Sequence, residues 1–210
     1  MAFDEALLEA MPKLRHPVLR FYGWTQPAAS FGYFQKYREV ERLTPLRPLV
    51  RRPTGGGIVP HDADWTYSLI FPREHAWYGF SAKESYRRAH LWIQMAFKGL
   101  NVQTALAPIA LKAQAGQCFV GHEQSDLLWH GRKIAGAAQR RRKDGLLIQG
   151  SVQPPSPDLS RRAWEQAMRE AATSAYGVIW QDCQDKASAS SRAKDLAISK
   201  YSQSGYNQRR

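Results

Sequence analysis

A run of three glycines beside two arginines is the first pattern in the sequence that could bind a ligand. The glycines are Gly55, Gly56 and Gly57, and they are preceded by Arg51, Arg52 and Thr54. Because glycine has no Cβ, the backbone N–H groups of such a loop can approach a ligand closely, and two guanidinium groups suit a phosphate or a carboxylate. The spacing matches neither a Walker loop nor a dinucleotide-binding fingerprint. A flexible turn between two strands is the alternative interpretation.

A lysine among small residues is the second pattern. Lys133 lies in the stretch that runs from Gly131 to Gln139, which includes Gly136 and Ala137. Small neighbours leave room for a chain-like ligand, and the ammonium group could hold a carbonyl or phosphate oxygen. An ordinary exposed lysine on a strand is the alternative.

Cysteine and histidine are sparse. Cys118 could act as a nucleophile, since a thiolate is the most nucleophilic common side chain near neutral pH, or it could be a small buried apolar group. Cys183 is expected to serve only in packing. His61 follows the glycine run by four residues. No metal-ligand spacing surrounds it, so we predict no metal site.

The chain is strongly basic, with 30 lysines and arginines against 18 acidic residues and a formal net charge of +12. The densest run is Arg140-Arg141-Arg142-Lys143. Such charge is compatible with nucleic acid, with a solvated basic surface or with an acidic protein partner. Nucleic acid is the least favoured, because the sequence contains no zinc-finger, homeodomain or RNA-recognition motif.

The order of predicted elements indicates one α+β domain with a mostly antiparallel or mixed sheet. Apolar spacing predicts helices over 3–11, 84–99 and 159–175 and a last helix that includes Leu196 and Tyr201. Strands are predicted over 18–24, 30–34, 48–52, 65–71 and 145–152, together with a hairpin over 126–139. With 210 residues, we expect a single domain over 1–210.

Composition also bears on the compartment. Two cysteines are too few for a disulfide framework. The sequence contains no apolar run of membrane-spanning length, and the acidic N-terminus is unlike a signal peptide. We therefore expect a cytoplasmic protein with no membrane partner.

Taken together, these motifs resemble one known family. The Arg-Arg-Pro-Thr-Gly-Gly-Gly run with His61 after it, the Gly131-Arg132-Lys133 strand with Gly136, and the Gln149-Gly150-Ser151 strand occur in the order and spacing of lipoate-protein ligases and octanoyltransferases. The resemblance covers nearly the whole chain. It implies the α/β catalytic fold shared with biotin-protein ligases and class II aminoacyl-tRNA synthetases. It also implies a single catalytic domain over 1–210, without the C-terminal accessory domain that the full ligases usually carry.

The resemblance also implies roles for residues. It places Arg52 and the three glycines at the acyl or acyl-phosphate site, and Lys133 at the acyl carbonyl, helped by the backbone of Gly136 and Ala137. The remaining expected substrate-binding residues are Arg51, Thr54, His61 and Asp126. The expected acceptor is a lysine of a small acidic lipoyl carrier domain, either the glycine cleavage H protein or a dehydrogenase E2, and acyl carrier protein is the expected octanoyl donor.

Two chemistries occur in this family, and the resemblance leaves both open. Cys118-Phe119 resembles the Cys-Phe pair of cysteine-dependent octanoyltransferases, which implies a thioester on Cys118, with Lys133 as the second catalytic residue and no cofactor. The alternative is a lipoate-protein ligase that needs ATP and Mg²⁺ and acts through a lipoyl-adenylate, alone or with a partner subunit. A third hypothesis is that the chain is a basic binding protein without catalytic activity.

Overall fold

The computed structural model describes residues 1–111 and 121–209. Helices and groups of consecutive strands are interspersed along these residues. In chain order they are α1 (Ala2–Leu14), β1 (Val18–Tyr22), β2 (Ala28–Phe31), α2 (Tyr37–Leu43), β3 (Leu49–Arg51), β4 (Val59–His61), β5 (Trp65–Pro72), α3 (Ala76–Gly79), α4 (Ala82–Gly99), β6 (Ala105–Leu106), β7 (Leu127–Trp129), β8 (Arg132–Arg142), β9 (Gly145–Val152), α5 (Arg161–Tyr176), α6 (Lys186–Leu196), a π-helical turn (Ala197–Tyr201) and α7 (Ser204–Asn207).

The larger sheet is antiparallel, with the strand order β1-β5-β9-β8-β7-β6. Every residue of its central strands β5 and β9 is buried. Since successive side chains of a strand point to opposite sides, both faces of these strands are covered. Leu69 and Ile148 face a core shared with α4 and α5. Ile70 and Leu147 face α1 on the other side. This sheet, with helices on both faces, confirms the predicted α+β class.

The smaller sheet is mixed. Strand β2 lies in the middle, parallel to β3 and antiparallel to β4. The three-glycine run connects β3 to β4, so this sheet carries the loop. Strand β4 was not predicted from the sequence because Pro60 interrupts its pattern. The proline is compatible with the structure because β4 is an edge strand, where a missing N–H breaks no ladder.

The C-terminal helices pack against α1, and a buried carboxylate connects them. Glu5 of α1 accepts hydrogen bonds from Lys200 Nζ at 2.5 Å, from Tyr201 Oη at 2.7 Å and from Arg142 Nη1 at 3.0 Å. Burial raises the pKa of Glu5, but these donors outweigh it and the net pKa is lowered. Glu5 therefore joins α1, β8 and the π-helical turn. Cys183 is partly buried beside the apolar side chains of α1, which agrees with its predicted role in packing, and its thiol is free.

Glu5 and Glu9 lie on the same helix and offer a matched pair for testing this connection. Glu9 pairs with Arg192 at 2.7 Å, and both side chains are partly exposed. We expect Glu5→Gln to lower the free energy of unfolding by about 2–4 kcal/mol, because it removes the charge from a buried cluster of donors. Glu9→Gln should cost about 0–1 kcal/mol. Urea unfolding of both variants measures this, and equal losses would contradict the structural role of Glu5.

Candidate active site

A β-bulge sets the direction of Lys133. Between β7 and β8, Leu127 pairs with Ala135 while Leu128 pairs with Lys133, so β8 contains one extra residue at this point. A bulge reverses the alternation of side chains beyond it. Lys133 and Gly136, three residues apart, therefore face the same side of the sheet, where they would otherwise point in opposite directions.

Lys133 forms an ion pair with Asp126. The Nζ–Oδ2 distance is 2.6 Å, and each side chain is only 8% exposed. Asp126 Oδ2 also accepts the backbone N–H of Glu123 at 2.8 Å. A Cβ at position 136 would lie 2.8 Å from Lys133 Cε and 3.0 Å from Nζ. Gly136 thus provides the space in which the lysine side chain extends.

Arg52 holds the glycine loop in shape. Its guanidinium donates to Gly55 O at 2.6 Å and to Gly57 O at 2.7 Å, and its Nη1 donates to Ser30 Oγ at 3.3 Å. Gly56, between the two carbonyls, has a φ of 86°, a conformation that glycine adopts without strain. Arg52 therefore orders the glycine loop, and it also lines the adjoining cavity.

Thr54 fastens the same loop to the larger sheet. Its hydroxyl donates to Gln149 Oε1 at 2.9 Å, and Gln149 Nε2 donates to Asp4 Oδ2 at 2.7 Å. All three side chains are buried. The glycine loop, β9 and α1 are thus connected by consecutive hydrogen bonds.

A small cavity of about 60 Å³ lies between the two sheets. The predicted site residues in its wall are Arg52, Gly56, His61, Lys133, Gly136 and Ala137. Ser30, Gln149 and Ser151 also line it, and none of the three was predicted from the sequence as a site residue. Thr54, Gly55, Gly57 and Asp126 are not among the lining residues, but each is hydrogen-bonded or ion-paired to one of them. Cys118 lies outside the described residues.

Arg51 is not brought to this cavity. It is completely buried, and its guanidinium donates to the backbone oxygens of Tyr33, Gln35, Tyr206, Asn207 and Arg209. Neighbouring residues of a strand point to opposite faces, so Arg52 reaches the cavity while Arg51 reaches the C-terminal segment. In the structure, Arg51 fastens that segment to the small sheet.

His61 is part of a buried hydrogen-bonded group. Its Nε2 lies 2.8 Å from Ser30 Oγ and its Nδ1 lies 2.9 Å from Asp64 Oδ2. The indole of Trp24 stacks on the imidazole at 4.0 Å between ring centroids. Asp64 follows His61 by three residues and could have been noticed in the sequence. Ser30 is joined to His61 only by the pairing of β2 with β4.

The basic run on β8 is largely engaged within the fold. Arg140 donates to Pro53 O at 3.2 Å, and Arg142 pairs with Glu5.

Among residues 1–111 and 121–209, no group of three or more His, Cys, Asp and Glu side chains could hold a metal ion. Within the same residues, no helix has the length and apolar character needed to cross a membrane.

His90 on α4 lies behind the ion pair. Its Nδ1 donates to Ser125 O at 2.7 Å, and its Nε2 is buried without a partner among the described residues. Burial lowers the pKa of His90 and outweighs the opposite effect of Asp126. The imidazole is therefore held neutral next to Lys133 and Asp126.

Comparisons with known proteins agree on one family. Residues 1–172 match the model of the lipoyl protein ligase A/B catalytic domain. Octanoyltransferase LipM of Carboxydothermus hydrogenoformans is 38% identical over 158 residues, 72% of this chain and 59% of that protein. The Bacillus subtilis protein of the same name is 36% identical over 165 residues, again 72% and 59%. The chain thus spans about three fifths of the length of these relatives.

Solved structures show the same fold. A lipoate-protein ligase A bound with ATP superposes with a TM-score of 0.79 at 20% identity, covering 99% of this chain and 92% of that chain. The bipartite lipoate protein ligase of Thermoplasma acidophilum, solved in a study with its E2 lipoyl domain, gives a TM-score of 0.70 at 20% identity, covering 99% and 89%. At this identity, the likeness concerns the fold alone.

The buried neutral state of His90 makes a prediction about acid stability. Because its pKa is lowered in the folded state, the unfolded chain takes up the proton first as the pH falls below about 6.5. This contribution to stability is present above that pH and is lost below it, by at most about 1.4 kcal/mol per pH unit.

The measurement is the free energy of unfolding at pH 7 and pH 5. We expect His90→Asn, whose amide can still donate to Ser125 O, to lose less stability over this interval than the wild type. The exposed His16 serves as the control, and His16→Asn should lose as much stability between pH 7 and pH 5 as the wild type does. An unaltered pH dependence in His90→Asn would refute the interpretation.

Proposed function

Because the chain belongs to the family of lipoyl protein ligase A/B catalytic domains, we propose that it is an acyltransferase that moves an octanoyl group onto a lysine of a lipoyl carrier domain. The observation that carries the proposal is Lys133, an ion-paired ammonium in the wall of a small cavity beside Gly136 and the glycine loop. The proposed active unit is the domain over residues 1–210.

Lys133 is suited to binding a carbonyl oxygen. An ammonium has three N–H donors and no acceptor, and Asp126 fixes its position from one side. When a nucleophile attacks the carbonyl, negative charge develops on the oxygen, and a preorganised cation in a water-poor cavity stabilises that charge. Gly56, Gly136 and Ala137 present backbone or a methyl group, which leaves room for an alkyl chain along the wall.

We propose Cys118 as the nucleophile that carries the octanoyl group between donor and acceptor. The thiolate would attack the thioester of octanoyl-acyl carrier protein, form a new C–S bond and release the donor thiol. Exchange of one thioester for another changes the free energy little, so the step requires neither ATP nor Mg²⁺. The names of the relatives, octanoyltransferase LipM at 35–38% identity, support this chemistry over the adenylate route.

The proposed acceptor is an acidic lipoyl domain, of the H protein or of a dehydrogenase E2. The formal charge of +12 favours its encounter with the enzyme. The proposed compartment is the cytoplasm, since two cysteines in 210 residues suit a reducing environment.

The test is a transfer assay with two arms. The first supplies octanoyl-acyl carrier protein and a lipoyl domain without ATP. The second supplies free octanoate or lipoate with ATP and Mg²⁺. We expect a mass increase on the lipoyl domain in the first arm and its loss in Cys118→Ser. Modification in the second arm alone, with Cys118→Ser active, would make the protein a ligase and refute the proposal.

Variants at the ion pair test the role of the cavity. Lys133→Ala should lower the rate of octanoyl transfer by roughly 100- to 1000-fold, because one stabilising donor of the oxyanion is lost. Gly136→Ala should lower it by roughly 10- to 100-fold, because the new methyl group displaces Lys133. The controls are Lys98→Ala on the surface and Gly99→Ala, where a Cβ meets nothing within 4 Å. Near-normal transfer in Lys133→Ala would remove this lysine from the site.

A further inference from the structure

Ser30, His61 and Asp64 form a continuous hydrogen-bonded chain that ends at the cavity. The two distances are 2.8 Å from Ser30 Oγ to His61 Nε2 and 2.9 Å from His61 Nδ1 to Asp64 Oδ2. Ser30 and His61 are almost completely buried in the fold, yet both contribute to the wall of the cavity. None of the roles proposed above for Lys133, Cys118 and the glycine loop uses this chain.

The hydrogen-bond partners of Ser30 and His61 determine where the hydrogens of these two side chains can lie. An ionised carboxylate only accepts hydrogen bonds, so His61 Nδ1 carries a hydrogen toward Asp64. Arg52 only donates, and its Nη1 lies 3.3 Å from Ser30 Oγ. With the hydrogen on Nδ1, a neutral imidazole has its lone pair on Nε2, and the hydroxyl of Ser30 can donate to it. This is the tautomer in which a histidine removes a proton from a serine hydroxyl.

Asp64 is preorganised to stabilise an imidazolium. Its Oδ2 accepts from Ser151 Oγ at 2.6 Å and from Thr66 Oγ1 at 2.9 Å, in addition to His61. Trp24 donates to Thr66 Oγ1 at 3.1 Å and stacks on the ring of His61. Carboxylate and imidazole are thus both fixed in orientation.

Transfer of an acyl group to a lysine needs such a proton acceptor. A free lysine amine is an ammonium at neutral pH and cannot attack a carbonyl until it loses a proton. Lys133 is ion-paired with Asp126 as an ammonium and has no lone pair to offer. Among the described residues that line the cavity, His61 is the only histidine, and it shares this cavity with Lys133, at which the carbonyl is proposed to bind.

We propose that Ser30, His61 and Asp64 form a proton relay that deprotonates the acceptor lysine. This inference rests on the proposed function. The acceptor ammonium gives one proton to Ser30 Oγ while the serine proton passes to His61 Nε2, and the neutral amine attacks the octanoyl carbonyl. The C–N bond forms, the C–S bond breaks, and the second amine proton goes to the departing thiolate. His61 then releases its proton to solvent, so one proton is released per turnover.

The experiment compares two acceptors at pH 7 with octanoyl-acyl carrier protein as donor. One is the lipoyl domain, whose lysine must be deprotonated. The other is methoxyamine, which is uncharged at this pH and needs no base before it attacks. The variants are Ser30→Ala and His61→Gln, with Ser85→Ala as a buried serine outside the site. The spontaneous reaction of methoxyamine with the donor is measured without enzyme and subtracted.

We expect Ser30→Ala and His61→Gln to lower transfer to the lipoyl domain by roughly 100- to 10,000-fold, which is at least about tenfold more than they lower transfer to methoxyamine. Ser85→Ala should change neither rate. Equal losses with both acceptors would make the chain purely structural and overturn the relay, as would unchanged transfer to the lipoyl domain.

Two further outcomes separate this inference from the function on which it rests. An octanoyl ester mapped to Ser30 by mass spectrometry would make the serine a nucleophile and overturn the relay, with the acyltransferase function intact. Wild-type protein that acylates neither acceptor would refute the proposed function itself, and the relay with it.

Discussion

Lys133 and Asp126 form a 2.6 Å ion pair in the space between the two sheets, and three features of the chain exist to accommodate it. The bulge in β8 turns the lysine toward the cavity, Gly136 leaves the volume that the side chain occupies, and the backbone N–H of Glu123 supports the carboxylate. A buried ion pair costs desolvation energy that its attraction barely repays. The pair therefore contributes little net stability, and the position of Lys133 in the wall of the cavity is the observation on which the proposed function rests.

The rest of the site is a loop that must be held against this ion pair. The glycine run lacks side chains that could anchor it, so other residues provide the order. Arg52 binds two of its carbonyl oxygens, and Thr54 connects it through Gln149 to Asp4. The loop is thereby fixed to both sheets and to α1. These hydrogen bonds argue against a flexible turn, which was the alternative interpretation of the sequence.

The long helices and the central strands were predictable because their apolar residues recur at the spacing of their faces, as in α4 and β5. The convergence of Lys133 with the glycine loop followed from the resemblance. The separate fates of Arg51 and Arg52 could not be predicted, because only the pairing of β3 decides which strand face meets the cavity. Ser30 was missed for a related reason, since it lies 31 residues from His61 in the sequence and Pro60 interrupts the pattern of β4, the strand that pairs with β2.

The proposed function requires the acyl carbonyl to lie at Lys133. A crystal structure with a non-cleavable octanoyl ketone analogue of the donor tests this directly. We predict the carbonyl oxygen at about 3 Å from Lys133 Nζ, with the alkyl chain running past Gly56 and Gly136. A ligand bound instead in the apolar groove lined by Trp77 and Ile179, with Lys133 uncontacted, would contradict the account.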